Sequence, residues 1–163
     1  MERKAEVKVR LEPPDLIESE SVRVLGLSEH CSRDSTITIP AQWQRFTPYM
    51  TGIADRFDRI SIGVIYAADD GGQFKYICGV EVARFGEYSS ALKRLEIPPR
   101  THAVFQHRGH ISAVRETYFA IWNRALVELD RTVVDAPIIE RHNPTFDPSS
   151  GDGGIAIWIP LAI

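Results

Sequence analysis

Ala41-Gln42-Trp43-Gln44-Arg45 returns 79 residues later as Ala120-Ile121-Trp122-Asn123-Arg124. Apolar side chains recur at helical spacing around both copies, so each copy predicts an amphipathic helix. Strand-like stretches flank the two helices in the same order, one before each helix and two after it. The sequence therefore predicts a β-α-β-β unit used twice, with a pocket at the seam between the two halves.

The two units cover about residues 5–84 and 100–163 of a chain of 163 residues. This length suits one domain with a substantial single core, so we expect residues 1–163 to form a single domain. The expected fold class is α+β, with two pseudo-symmetric repeats that form one antiparallel sheet carrying two main helices.

Local signals place the elements of the first half. Alternation predicts strands over Glu6–Leu11 and Val22–Leu27. Thr38 is the expected N-cap of the first helix, and Pro48 is expected to end or bend it. Asp69-Asp70-Gly71-Gly72 is typical of a hairpin turn between two further strands.

The second half repeats this order after a linker that we expect to span Phe85–Pro99. A strand is predicted over Thr101–His107, followed by a helix from about Ser112 to Leu129. Two more strands are predicted over Ile138–Glu140 and Ile155–Leu161.

Composition narrows the class of protein. Hydrophobic residues make up 44% and charged residues 25% of the chain, and the net charge is −3 with a pI near 5.9. The acidic balance and the lack of a basic cluster argue against direct nucleic-acid binding. No apolar run reaches the length of a membrane helix, and the N-terminus does not resemble a signal peptide, so we expect no membrane association and a cytoplasmic location.

Metal and thiol chemistry find little support in the sequence. Cys31 and Cys78 lie far apart and lack metal-ligand spacing. The pair His107 and His110 lacks a visible third ligand. We therefore expect neither a metal nor a cofactor.

Two carboxylates are the candidate polar groups of the pocket. Glu140 follows two isoleucines at the end of an apolar strand, where burial would raise its pKa unless a cation restored the charged form. Its alternative role is a surface glutamate paired with an arginine. Glu81 alternates away from the apolar face of its strand, toward solvent or a cleft.

Aromatic residues supply the candidate walls. Trp43 and Trp122 could stack on a flat ligand from opposite sides, or could simply anchor their helices to the sheet. Further candidates, each also compatible with a core position, are Tyr66, Tyr76, Phe105, Tyr118 and Trp158.

Several motifs together resemble those of the GyrI-like small-molecule-binding family. They include Phe74-x-Tyr76-x-x-Gly79-Val80-Glu81-Val82, Ala103-Val104-Phe105-x-His107-x-Gly109, the helix Thr117–Trp122, Pro137–Pro144 and the terminal Ile157-Trp158-Ile159-Pro160-Leu161. They span roughly residues 5–163 in the family's order. The same module is the effector-binding domain of some bacterial AraC-type and MerR-type transcription regulators.

The resemblance implies a binding protein for hydrophobic, planar or cationic aromatic compounds of the multidrug type, which would sense or sequester toxins. It places Trp43, Tyr66, Phe105, Tyr118, Trp122, Glu140 and Trp158 in the ligand site. A second interpretation is metal-independent hydrolysis of strained electrophilic toxins, with Glu140 and Glu81 as catalytic carboxylates. A third is a protein partner role, as in gyrase inhibition.

Two departures from the family pattern affect these expectations. The helix-turn-helix domain of the regulators is missing from this sequence, so we expect a stand-alone binder or enzyme. Relatives often carry a glutamate two residues before the tryptophan of the last strand, where this chain has Ala156. The substitution leaves Glu140 and Glu81 as the candidate pocket carboxylates.

Overall fold

An antiparallel sheet of eight strands with helices packed on one face makes up the computed structural model, which describes residues 10–33, 38–147 and 149–162. The strands are β1 (Asp15–Ser19), β2 (Val22–Ser32), β3 (Arg56–Tyr66), β4 (Gln73–Val82), β5 (Lys93–Ile97), β6 (Arg100–His107), β7 (Ile138–His142) and β8 (Ile155–Leu161). The expected α+β class and the single antiparallel sheet are confirmed.

The strand order is β1-β6-β8-β7-β3-β4-β2-β5, so β3 of the first half pairs with β7 of the second half at the centre. Helix α1 (Ile39–Met50) belongs to the first half. Helix α2 (Val114–Ala120), a π-helical turn (Ile121–Ala125) and α3 (Leu126–Leu129) form the helical segment of the second half. The seam between the repeats is therefore the β3–β7 pair.

The outermost strands of the sheet belong to a single two-stranded ribbon. The pairing of β1 with β6 continues in the same register into the pairing of β2 with β5, as Asp15 faces Val104 and Val22 faces Ile97. Pro98 and Pro99 interrupt the ribbon, because proline has no N–H for the ladder. Since this ribbon connects both ends of the strand order, the sheet must curve back on itself.

The buried apolar side chains form three clusters on the two faces of the curved sheet. One lies under α1 and includes Leu25, Phe46, Tyr76, Cys78 and Val80. Another lies under α2 and α3 and includes Ala103, Phe105, Ile121, Ile155, Ile157 and Ile159. The third lies on the opposite face of the sheet, here called the helix-free face, and includes Val22, Val24, Ile62, Val64, Ile77, Ile97 and Ile139.

The local predictions hold with several corrections. Asp69 accepts the backbone N–H groups of Gly71 and Gln73, which stabilises the expected hairpin. Pro48 does not end its helix, which continues to Met50, and Thr38 occupies the N-cap without a side-chain hydrogen bond.

The prediction of a linker over residues 85–99 is wrong in part, because this segment contains strand β5. The strand predicted over residues 6–11 falls largely outside the described residues, and Arg10 and Leu11 precede β1. In the part of the chain that the structure describes, no helix is long and apolar enough to cross a membrane.

Candidate functional site

Glu140 lies at the seam, on the sheet face that carries the helices. Strand β7 alternates, so Ile138, Glu140 and His142 share this face, and Ile138 packs into the cluster under α2. Glu140 is only 8% exposed and stands directly opposite Gly63 of β3. The carboxylate therefore occupies the junction of the two halves.

Each half donates one tyrosine hydroxyl to this carboxylate. Tyr76 of β4 donates to Oε1 at 3.1 Å, and Tyr118 of α2 donates to Oε2 at 2.5 Å. Trp43 of α1 packs against the apolar cluster that contains Tyr76. Tyr76, Glu140 and Tyr118 thus form a connected polar network, and Trp43 lies beside it.

Burial controls the electrostatics of this network. Desolvation raises the pKa of Glu140, while the hydrogen bonds from Tyr118 and Tyr76 and the nearby His107 act in the opposite direction. Burial and the adjacent carboxylate raise the pKa of both tyrosines well above the usual value. The tyrosines therefore stay protonated and act as hydrogen-bond donors.

Glu140 forms no ion pair with the described residues, whose ion pairs lie elsewhere. The ionised form of a buried carboxylate that has neutral donors but no ion-pair partner is stabilised by a cation that approaches it. The arrangement can accordingly bind a positive charge, and the surrounding rings suit an aromatic one.

An aromatic stack continues the site along β7. The His142 ring lies parallel to that of Phe146, with centroids 4.3 Å apart, and 4.9 Å from the Trp43 ring at a tilt of 52°. Its Nδ1 forms a hydrogen bond of 2.6 Å with Ser61 Oγ. Burial lowers the pKa of His142 to about 4, so the ring is neutral near pH 7. His142 therefore adds an apolar surface beside Glu140.

Gly63 makes room for this arrangement. A Cβ at this position would lie 2.1 Å from the Tyr76 hydroxyl oxygen and 2.7 Å from Tyr76 Cζ. Only glycine therefore lets Tyr76 cross β3 and reach Glu140 on β7.

The structure brings together four of the candidates named from sequence, Trp43, Tyr76, Tyr118 and Glu140, and disperses the others. Phe105 is fully buried beneath α2, and Tyr66 is hydrogen-bonded to Ser28 at 2.6 Å. Trp158 packs on the helix-free face, together with Arg141.

Trp122 does not mirror Trp43 despite the sequence repeat. The π-helical turn that contains Trp122 leaves its side chain 41% exposed, whereas Trp43 is half-buried at the seam. Tyr118, one turn earlier, supplies the second-half contact with Glu140. The expected pair of facing tryptophans is thus replaced by Trp43 and Tyr118.

Glu81 lies on the face opposite to Glu140. It accepts a hydrogen bond of 2.8 Å from Arg141 Nη1 in a largely buried ion pair, and the Arg141 guanidinium lies 5.0 Å from the Trp158 ring. Ala156 shares this face, because Ile155 and Ile157 point toward the helices. The replacement of the family's glutamate by Ala156 therefore leaves the Glu140 side of the sheet unchanged.

Sequence reasoning missed His142 and Gly63 as site residues. His142 could have been found from its spacing, because residues two apart on a strand share a face. Gly63 interrupts an otherwise apolar strand, which often marks a close approach. Among the described residues, no cluster of histidine, cysteine or acidic side chains could hold a metal ion.

Comparison with known proteins concerns the domain as a whole. Residues 12–162 match the GyrI-like small molecule binding domain. Transcriptional regulator BrlR of Pseudomonas aeruginosa is 29% identical over 148 residues, which are 90% of this chain and 54% of BrlR. The chain thus spans about half the length of this curated relative.

Two solved structures share the fold at low sequence identity. SAV2435 bound to tetraphenylphosphonium aligns with a TM-score of 0.70 and 20% identity, covering 93% of this chain and 94% of that one. The C-terminal domain of EcmrR aligns with a TM-score of 0.67 and 15% identity, covering 94% and 99% of the two chains.

Proposed function

The chain belongs to the GyrI-like family and carries its small-molecule-binding domain, and we propose that it binds a hydrophobic aromatic cation at the seam between its halves. Glu140 would supply the counter-charge, while Trp43 and His142 would supply aromatic surface. The observation that carries the proposal is the burial of Glu140 between two tyrosine donors with no ion-pair partner among the described residues. The tetraphenylphosphonium carried by SAV2435, a structural neighbour, supports this ligand class.

The energetics favour a ligand whose charge is delocalised. Both carboxylate oxygens already accept a tyrosine hydrogen bond, so a bound cation need not donate one. Aromatic rings contribute dispersion and a cation–π attraction of about 0.5–2 kcal/mol. A cation of this kind is also poorly hydrated and therefore loses little solvation on entering an apolar site.

Trp43 offers a direct measurement of binding. The protein would be titrated with tetraphenylphosphonium and, separately, with uncharged triphenylphosphine oxide, while tryptophan fluorescence is recorded. We expect the wild-type protein to prefer the cation, and Glu140→Gln to weaken cation binding by about tenfold or more while leaving the neutral compound nearly unaffected.

Glu116→Gln is the matched control, because Glu116 is exposed on the same helix as Tyr118. Its affinities should equal those of the wild-type protein. Equal cation affinity in Glu140→Gln and Glu116→Gln would overturn the assignment of Glu140, and the absence of any saturable binding would overturn the proposed function.

A further inference from the structure

A cavity lies where β6 ends and the helical segment of the second half begins. Its volume is about 210 Å³, and its lining residues are Arg10, Gln106, His107, Arg108, Gly109, Ala113 and Thr117. At about 30 Å³ per molecule of liquid water, this space equals roughly seven waters and admits a small ligand. The lining includes none of Trp43, Tyr76, Tyr118 and Glu140, so the two sites share none of these residues, although His107 of the lining also acts on the pKa of Glu140.

The charge of the lining is one-sided. Arg10 and Arg108 are among the lining residues and no acidic residue is, although the chain as a whole carries a net charge of −3. Within residues 10–33, 38–147 and 149–162, Arg10 has no acidic partner, whereas Arg108 is paired with Glu12. Arg10 thus brings to this cavity a positive charge that no ion pair among the described residues neutralises.

The guanidinium group of Arg108 binds a carboxylate of this chain, that of Glu12. Its Nε and Nη2 both donate to the Glu12 carboxylate, in a forked geometry in which both side chains are largely exposed. Exposed ion pairs of this kind contribute little to stability, so a free anion can compete with Glu12 for the same fork.

Two further polar residues of the lining are His107, which is fully hydrogen-bonded, and Gln106, whose side chain is not. His107 donates from Nε2 to the His110 carbonyl at 2.8 Å, and its Nδ1 forms a hydrogen bond of 2.6 Å with the Thr117 hydroxyl, so both of its nitrogens are satisfied. The half-buried Gln106 amide has no hydrogen-bond partner in the described part of the chain. Gln106 therefore brings to the lining a polar side chain without a hydrogen-bond partner among the described residues.

We propose that this cavity binds a small oxyanion, a phosphate or carboxylate group, held between Arg10 and Arg108 with the Gln106 amide as a further donor. The planar guanidinium fork matches the two oxygens of either group, and the aliphatic stems with Ala113 accommodate a short apolar substituent. This site shares no ligand-binding residue with the proposed cation site.

The test is a titration of the full-length protein, followed by backbone amide shifts, with inorganic phosphate in one arm and acetate in the other. Chloride keeps the ionic strength constant, which separates site binding from general screening. We expect saturable shifts confined to residues 106–113 and 117, with an affinity in the low-millimolar range. The arm that saturates at lower concentration identifies the preferred group.

Arg10→Gln and Arg108→Gln should each weaken this binding by about tenfold, because each removes a charge-assisted contact. Arg115→Gln, an exposed arginine of α2 outside the lining, should leave it within about twofold. Glu140→Gln should also retain the site, so the result does not depend on the seam ligand. Failure of both anions to saturate, or equal binding in all three arginine variants, would overturn the proposal.

Discussion

At Glu140, burial and hydrogen bonding act in opposite directions on one carboxyl group. Burial raises its pKa, and a bound cation would lower it, so binding at the seam should release a proton. We therefore expect the affinity for tetraphenylphosphonium to rise with pH until Glu140 is ionised in the free protein. Dissociation constants measured from about pH 5 to pH 9 should show this slope in the wild-type protein and not in Glu140→Gln. An equal slope in both proteins would assign the proton to another group.

Tyr118 and Tyr76 hold the ionised form of Glu140. Tyr118→Phe should raise the pKa of Glu140 further and weaken cation binding at pH 7 by roughly tenfold, since hydrogen bonds to charged groups contribute about 1.5–3 kcal/mol. Tyr76→Phe should act in the same direction. Raising the pH should restore much of the affinity in both variants, which a simple loss of packing would not allow. Tyr49→Phe, which alters a tyrosine outside the network, provides the control.

The lowered pKa of His142 should make the free energy of unfolding depend on pH. Its folded pKa of about 4 is below the usual 6.5, so the unfolded state binds a proton first as the pH falls. Stability from this residue is present above about pH 6.5 and declines toward pH 4, by roughly 3 kcal/mol in total. The contribution of Glu140 to stability changes with pH in the opposite direction, because its raised pKa stabilises the folded state as the pH falls.

The contribution of His142 can be isolated by comparing variants in urea unfolding. His142→Phe retains a ring between Trp43 and Phe146 and should reduce the loss of stability between pH 7 and pH 4. His30→Gln, which alters an exposed histidine, should unfold with the wild-type pH dependence. A pH dependence in His142→Phe as steep as that of the wild-type protein would contradict the assignment.

The strand pair β3–β7 depends on Gly63. Gly63→Ala would place its Cβ within the Tyr76 ring atoms and push the hydroxyl away from Glu140. We expect a loss of about 1–3 kcal/mol in stability together with weaker cation binding. Adding Tyr76→Phe removes the closest atom and should recover part of the stability. Gly52→Ala, whose Cβ would lie 3.7 Å from the carbonyl oxygen of Tyr49, should cost much less, and equal losses at both glycines would contradict this account.

The elements show which features a sequence can predict. The repeated helix motif and the alternating strands gave the halves, the antiparallel sheet and the seam, because these depend on local periodicity. The contact between Tyr76 and Glu140 depends on strand register across three strands, which periodicity does not determine. The exposure of Trp122 depends on a π-helical turn, which no residue type in Ala120–Arg124 signals.

Across the whole molecule, two adjacent residues of β7 connect the halves on opposite faces of the sheet. Glu140 accepts from Tyr76 of the first half on the helix-bearing face, while Arg141 pairs with Glu81 of the first half on the helix-free face. Alternation along the strand separates the two contacts. One contact lies in the proposed binding site, and the other lies away from it, so stability and binding should respond differently to changes in each.

Glu81→Gln should lower the free energy of unfolding by about 3 kcal/mol, because it leaves Arg141 largely buried without its counter-charge. The double variant Glu81→Gln with Arg141→Met should regain much of this loss, since an apolar side chain has no charge to solvate. Glu96→Gln, which breaks an exposed pair with Arg23, should cost less than about 1 kcal/mol.

Glu81→Gln, its double variant with Arg141→Met, and Glu96→Gln should all bind tetraphenylphosphonium with wild-type affinity. Each should also unfold in one transition, as expected if the two halves form a single cooperative domain. Saturating ligand should then raise the stability of every one of them equally, by about 2.7 kcal/mol at a hundredfold excess over the dissociation constant. Two separate unfolding transitions would show that the halves are independent. Weakened binding in Glu81→Gln would show instead that the helix-free face contributes to the ligand site.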